Sequence, residues 1–353
     1  MSTAASTPAA RRVGSPASPR TPGLHARRTA GLVVLVCALA LAIVLSIGVG
    51  ANPLTPAQVW EGLIHPSQTE ASIIVWTQRI PRTIVGIVVG AALGVSGALI
   101  QALTRNPLAD PGILGVDAGA GFAVTLGVGI FGISGITGYI WFSFIGAAAA
   151  TVVIYIIGTS GRTVSPITLV LAGVALGAVL RGVSTFLTLI DEETFRAVRS
   201  WGAGSIARTS LADTVTVLPF LAVGLVLSLT LSGSLNSMAL GDDLATSLGT
   251  SVVRTRVLGI VAVTLLAGGA AALTGGIGFV GLMVPHVVRW FVGPDQRWII
   301  ACTAVAAPIL LLVSDVAGRV IARPGEMEVG IVTAVVGAPV LIALVRRRKV
   351  SGL

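Results

Sequence analysis

Charge is scarce in this chain. Only 10% of its 353 residues are Asp, Glu, Lys or Arg, whereas 54% are hydrophobic, a balance that excludes a soluble globular domain. Lysine is nearly absent: Lys349, close to the C-terminus, is the single one. A phosphate loop ending in Gly-Lys-Ser/Thr therefore cannot exist here, and if a nucleotide drives this protein, another chain binds it. Cysteine is almost as rare. Cys37 and Cys302 each fall inside an apolar run without ligand spacing, so neither a disulfide framework nor a metal site is expected. The net charge of +9 does not signal nucleic acid, because the basic residues gather at the ends of apolar runs and form no stripe with interleaved aromatics.

Apolar length and glycine are what the chain has in excess. Its 44 glycines suit transmembrane helices whose backbones approach closely. Residues 1–30, rich in Ala, Ser, Pro and Arg, have little to bury and read as a disordered tail. Ten spans follow, at 31–49, 83–103, 113–133, 139–157, 167–190, 215–231, 257–273, 277–291, 299–316 and 329–345. The first is long enough to be a retained helix rather than a cleaved signal. The seventh and eighth are divided at Gly275-Gly276, because one helix over 257–291 would be roughly 52 Å long, against a bilayer core of about 30 Å. The membrane-spanning body is thus 31–346, with a basic tail at 347–353.

Ten spans put both termini on one side. With that side cytoplasmic, 15 of the 23 basic residues lie inside, as the positive-inside bias requires. Arg79, Arg82, Arg196, Arg199, Arg208, Arg319 and Arg323 then face outward, more than orientation alone needs. Arg181 lies within the fifth span; it and Asp315 read as lying towards span ends.

The segment 238–256, MALGDDLATSLGTSVVRTR, interrupts this apolar pattern. It reads as a short helix outside the bilayer. Leu240, Leu244 and Leu248 recur every fourth residue as one apolar face. Asp242 and Asp243 open it, Arg254 and Arg256 follow it in the order a helix dipole favours, and Gly249 ends its first segment after about two turns. On pattern alone a solvated loop or an interfacial helix is the plainer reading.

Three stretches together carry a resemblance. Arg79-Ile-Pro-Arg82 leads into GIVVGAALGVSGALIQALTRNPLADPGILGVDAGA at 86–120. LVLAGVALG occupies 169–177. GGIGFVGLMVPHVVRW at 275–290 is followed by SDVAGR at 314–319 and VGIVTAVVGAPV at 329–340. Over nearly the whole chain from residue 31 this resembles the FecCD-type permeases, the membrane subunits of type II ABC importers for iron-siderophores and cobalamin.

The resemblance implies an all-α, ten-helix permease in a bacterial plasma membrane with cytoplasmic termini. It would form a dimer of identical or related chains, carry two ATP-binding subunits beneath it, and receive solute from an extracytoplasmic binding protein. A ferric siderophore is the implied cargo, with haem or cobalamin as alternatives. No catalytic residue, cofactor or metal is implied on this chain, since ATP and magnesium belong to the partner subunit. Gly241, Ala245, Leu248 and Gly249 match the family's coupling pattern, which makes them, with Leu240 and Leu244, the expected ATPase contact. Arg79, Arg82 and Arg319 match positions that offer cations to acidic residues of the binding protein. Simpler roles are interface snorkelling for Arg79 and Arg82 and an i,i+4 pair with Asp315 for Arg319. Ser165, Pro166, Ile167 and Thr168 resemble a cytoplasmic gate.

The remaining polar residues read as structural. Asn106 to Gly112 is a turn cluster with Asp110 a helix cap; His286, after Pro285 and one turn before Arg289, is a packing residue. Arg196, Arg199 and Arg208, among Asp191, Glu192 and Glu193, read as a solvated loop. Where the family commonly has Glu-aliphatic-Pro, this chain has Glu326-Met327-Glu328. Two rivals remain: an ion-gradient-driven transporter, which would want midplane ionisable groups, and an intramembrane enzyme using Ser96 and His286, for which no third group is evident.

Overall fold

A computed structural model of the chain describes residues 23–66, 69–133, 135–158 and 166–347. Among them no β-strand occurs. The helices are α1 (Leu24–Gly48), α2 (Pro56–Ile64), α3 (Glu70–Ile73), α4 (Ile80–Thr104), α5 (Val116–Gly129), α6 (Ile136–Gly158) and α7 (Pro166–Ile190). They continue as α8 (Glu192–Gly202), α9 (Leu211–Met238), α10 (Asp242–Ser247), α11 (Val252–Thr274), α12 (Val280–Val292), α13 (Gln296–Ile321) and α14 (Val329–Arg347). A π-helical stretch, Ile74–Arg79, welds α3 to α4, and a 3-10 turn, Pro111–Leu114, precedes α5.

Among the described residues seven helices are long and apolar enough to cross a bilayer, and three shorter apolar ones, α5, α12 and α14, take the remaining places of the ten expected spans. At 13 residues, α12 is about 20 Å long and cannot cross a bilayer core alone. It is tolerated because residues from Val280 to Pro285 are buried in protein. The break expected at Gly275-Gly276 is present: Gly275 has φ +75° and ends α11.

The bundle is organised around α4 and α11, whose apolar windows are 78% and 72% buried, while those of α1 and α7 are 11% and 17% buried. Close approach is achieved by glycine. A Cβ on Gly97 would lie 1.9 Å from the Gly281 carbonyl oxygen, so α4 and α12 touch backbone to backbone. Pro285 lacks the N–H that would bond the Gly281 carbonyl. Gln101 of α4 compensates, its Nε2 donating to Leu282 O at 2.9 Å and Gly281 O at 3.5 Å.

Three sequence expectations change. Helix α1 starts at Leu24, so residues 24–30 belong to a helix rather than to the expected disordered tail. The reason is Arg28, which is buried and donates to Val292 O (2.8 Å) and to Asp295 (3.5 Å). The second span runs from Glu70, its first ten residues polar enough to read as loop. Residues 192–202 are helical, not loop: Asp191 caps α8 by accepting from Thr194 N at 2.8 Å, although Arg208 does lie exposed in the connection beyond it.

Candidate functional site

The bundle has two polar ends. One gathers the start of α1, the end of α4, the α9–α10–α11 turns and the α12–α13 link, tied by Arg28 to Asp295 and by Asn236 Nδ2 to Asp295 Oδ1 at 2.9 Å. The other gathers the end of α1, the start of α4 and the end of α13.

At the first end, α10 protrudes as a six-residue helix. Gly241 (φ +114°) and Gly249 (φ +82°) bracket it in conformations that a side chain would strain. Its end is a Schellman turn, with Thr250 N donating to Ala245 O and Gly249 N to Thr246 O, both at 2.9 Å. Ala245 is fully buried against the body, while Leu240, Leu244 and Leu248 are 61%, 57% and 64% exposed. The leucine ridge read from the sequence is therefore a bare apolar edge. The glycines and Ala245 fix its shape.

What holds α10 in place is not evident from the sequence. Asp242 accepts from Arg105 Nη2 at the end of α4 and from Arg256 Nη2 in α11 at 2.7 Å. Burial alone would raise the Asp242 carboxyl, but the hydrogen bonds and charges of Arg105 and Arg256 outweigh it and hold it below the ordinary carboxylate range. Arg256 thus folds back to the start of α10 instead of complementing its C-terminal dipole.

At the other end, the arginines expected to offer cations to a binding protein already have partners within the chain. Arg79, Arg82 and Arg319 are all buried. The Arg79 guanidinium donates to Ile47 O (2.8 Å), Gly48 O (2.7 Å) and Asn52 O (2.7 Å); it satisfies carbonyls that the end of α1 leaves open, and it is not snorkelling. Arg82 grips Asp315 through Nε and Nη2 and reaches Glu326 at 2.5 Å. Arg319 makes the i,i+4 pair with Asp315 at 2.7 Å, and also donates to Ser46 O (3.0 Å) and Val49 O (2.9 Å). The three form the floor of a pocket of about 200 Å³, with Glu326 at its edge. Glu326, the residue that keeps the Glu of the family's Glu-aliphatic-Pro, is thereby a partly exposed partner of Arg82; the departure lies two positions on, at Glu328.

The expected gate is less visible. Ser165 lies outside the described residues, Pro166 and Ile167 open α7, and Thr168 is exposed in its first turn. Asp110 caps the turn before α5, accepting from Gly112 N at 2.9 Å. The His286 ring rests edge-on against Trp290, 5.4 Å between centroids, and Ser96 donates to Leu93 O at 2.8 Å within α4. Along the exposed side of α7, facing α5 and α8, run two contiguous cavities of about 600 and 550 Å³.

Comparison with known proteins places these features. The FecCD transport family model matches residues 38–347. The chain is 45% identical over 324 residues to the ferric enterobactin transport system permease protein FepD of Escherichia coli K12, covering 91% of this chain and 96% of that one. It is 35% identical over 283 residues to the cobalamin import system permease protein BtuC of Halobacterium salinarum, covering 80% and 76%. Among solved structures, an inward-facing metal-chelate type ABC transporter superposes with a TM-score of 0.78 at 28% identity, covering 90% of this chain and 99% of that one.

Proposed function

The chain belongs to the FecCD transport family, and from that premise we propose that it is the membrane-spanning subunit of an ATP-driven importer. Two copies, or this chain and a related permease, enclose a path along their α7 faces. The end bearing α10 faces the cytoplasm, as the bias of basic residues favours, and two ATP-binding subunits dock there. A solute-binding protein docks on the arginine end. Its cargo is a ferric siderophore; relatives named for haem and cobalamin make those the alternatives.

The observation that carries this reading is the bare leucine ridge of α10 on a clamped base. A mobile loop would yield to a push. A helix pinned through Asp242 to both α4 and α11 passes displacement into the two most buried helices of the bundle. No such ridge is needed by a carrier that runs on an ion gradient. The arginine pocket supports the partner at the opposite end: Arg79, Arg82 and Arg319 line it against the single carboxylate of Glu326, and a pocket with surplus positive charge suits an acidic side chain. Neither ATP nor magnesium binds this chain in this reading, and nothing is chemically changed on it.

Uptake of radiolabelled ferric chelate into right-side-out vesicles tests the function. Transport should stop when ATP is depleted and persist when an ionophore collapses the ion gradients. The reverse pattern would establish the gradient-driven carrier instead.

A further inference from the structure

We propose that Arg181 is the charge-selecting residue of the transit path, a cationic station that favours net-anionic metal chelates. This rests on the import-permease reading and adds the charge class of the cargo.

Contrary to its sequence reading as a residue towards a span end, Arg181 lies nine positions before the end of α7 at Ile190, about 14 Å along the axis, inside the apolar zone rather than at its interface. It is exposed and makes no direct ion pair among the described residues; Asp117, on the same cavities, attracts it at longer range. A guanidinium without a direct salt bridge is costly against acyl chains, and at such depth it faces water or protein. The cavities beside Arg181 make that surrounding water in the assembled transporter.

The pattern along the helix agrees. Ser184, Thr185 and Thr188 follow Arg181 at i+3, i+4 and i+7, which is one face. Their hydroxyls donate back to Leu180 O, Arg181 O and Ser184 O, and all three residues line the same cavity. Both cavities along α7 are lined by Arg181 and Asp117, so a solute moving from one to the other passes these two residues. The cavity nearer the arginine end adds a second cation, Arg199. The cavity nearer the α10 end adds Asp110 and no further cation. Positive character thus falls along the path, which draws an anion in without holding it at the exit.

Chemistry then sorts the cargo. Iron(III) bound by three catecholates is triply anionic, and hydroxycarboxylate chelates are also anionic, whereas a tris-hydroxamate chelate is neutral. Arg181 discriminates in favour of the first two.

The test uses the assembled transporter with Cys37 and Cys302 replaced by serine and a single probe thiol from Ser184→Cys. Modification rates are measured with negatively and positively charged methanethiosulfonate reagents. With Arg181 present the anionic reagent should be favoured at least about fivefold over its ratio on a free thiol. Arg181→Gln should abolish that preference and Arg181→Lys should keep it. High salt should also erase it in the unaltered Arg181 protein, a readout independent of any change at 181. The iron(III) tris-catechol chelate should protect the thiol and a tris-hydroxamate chelate should not. A ratio indifferent to charge, salt and Arg181→Gln, or equal protection by both chelates, overturns the role of Arg181 while leaving the path intact. A thiol unreactive towards both reagents shows a dry α7 face, and then the path reading itself fails.

Discussion

The Arg82 guanidinium binds both carboxylate oxygens of Asp315, 233 positions further along the chain, with Nη2 to Oδ1 at 2.6 Å. Asp315 is wholly buried and Arg319 shares it from one turn away. One carboxylate thus serves two interior arginines and joins α4 to α13. Asp315→Asn would leave both cations short of a counter-charge, and breaking such a pair costs about 3–5 kcal/mol. The purified subunit should lose several degrees of thermal midpoint, whereas Glu326→Gln, at a half-exposed partner of Arg82, should change it little. Equal midpoints for Asp315→Asn and the parent would show that the pair contributes no stability.

Glu326→Gln also tests the partner at this end. Removing the carboxylate at the pocket's edge raises its positive potential, so an acidic binding protein should associate roughly three- to tenfold faster at low salt, with the gain vanishing at high salt. Slower association, or a gain that ignores salt, would place the docking site elsewhere.

The clamp on α10 separates stability from coupling. Arg256→Gln removes one partly exposed ion pair, worth at most about 1 kcal/mol to the fold, yet it frees the base of the ridge. Thermal stability should hold while ATP-driven uptake falls severalfold. The sign of the pH effect follows from Asp242, whose carboxyl is held below its ordinary value by Arg105 and Arg256. Its contribution is complete above the unfolded pKa of about 4 and is lost as pH falls through the lower folded value. Uptake limited by the clamp should therefore be flat from about pH 5 to 8. A midpoint loss as large as that of Asp315→Asn would instead make the clamp a stability element.

Helix contact in the core is set by glycine. Gly97→Ala would drive a methyl into the Gly281 carbonyl and should cost about 1–3 kcal/mol or force α4 and α12 apart. Gly31→Ala, where a Cβ meets nothing within 4 Å, should be neutral or stabilising by up to about 1 kcal/mol. Comparable yields and midpoints for the two variants would contradict the packing described.

Much of this architecture is legible in the amino-acid sequence. Apolar run length gives the spans, Gly275-Gly276 gives the division between α11 and α12, and the four-residue leucine spacing gives α10. What stays hidden has a common cause: the partners of Arg79 and of much of Arg319 are backbone carbonyls at the end of α1, and a carbonyl has no signature in sequence. An arginine bonded to a distant helix end therefore looks like a rim charge. The clamp on Asp242 is hidden by distance, with Arg105 137 positions away. The signals for α8, by contrast, are local. Asp191 is a capping residue, Phe195, Val198 and Trp201 share a face, and Glu192 pairs with Arg196 at i,i+4; the density of charge masks a short amphipathic helix and makes it look like loop.

The most direct measurement is the amount of ATP-binding subunit that co-purifies with Leu244→Asp and Leu248→Asp permease. Both side chains are more than half exposed, so the variants should insert and fold as the parent does. The parent should retain ATPase in equimolar amount and each variant less than about a tenth of it, as expected of an anchor residue in a groove. Full retention by both would mean that the motor grips this protein somewhere other than α10.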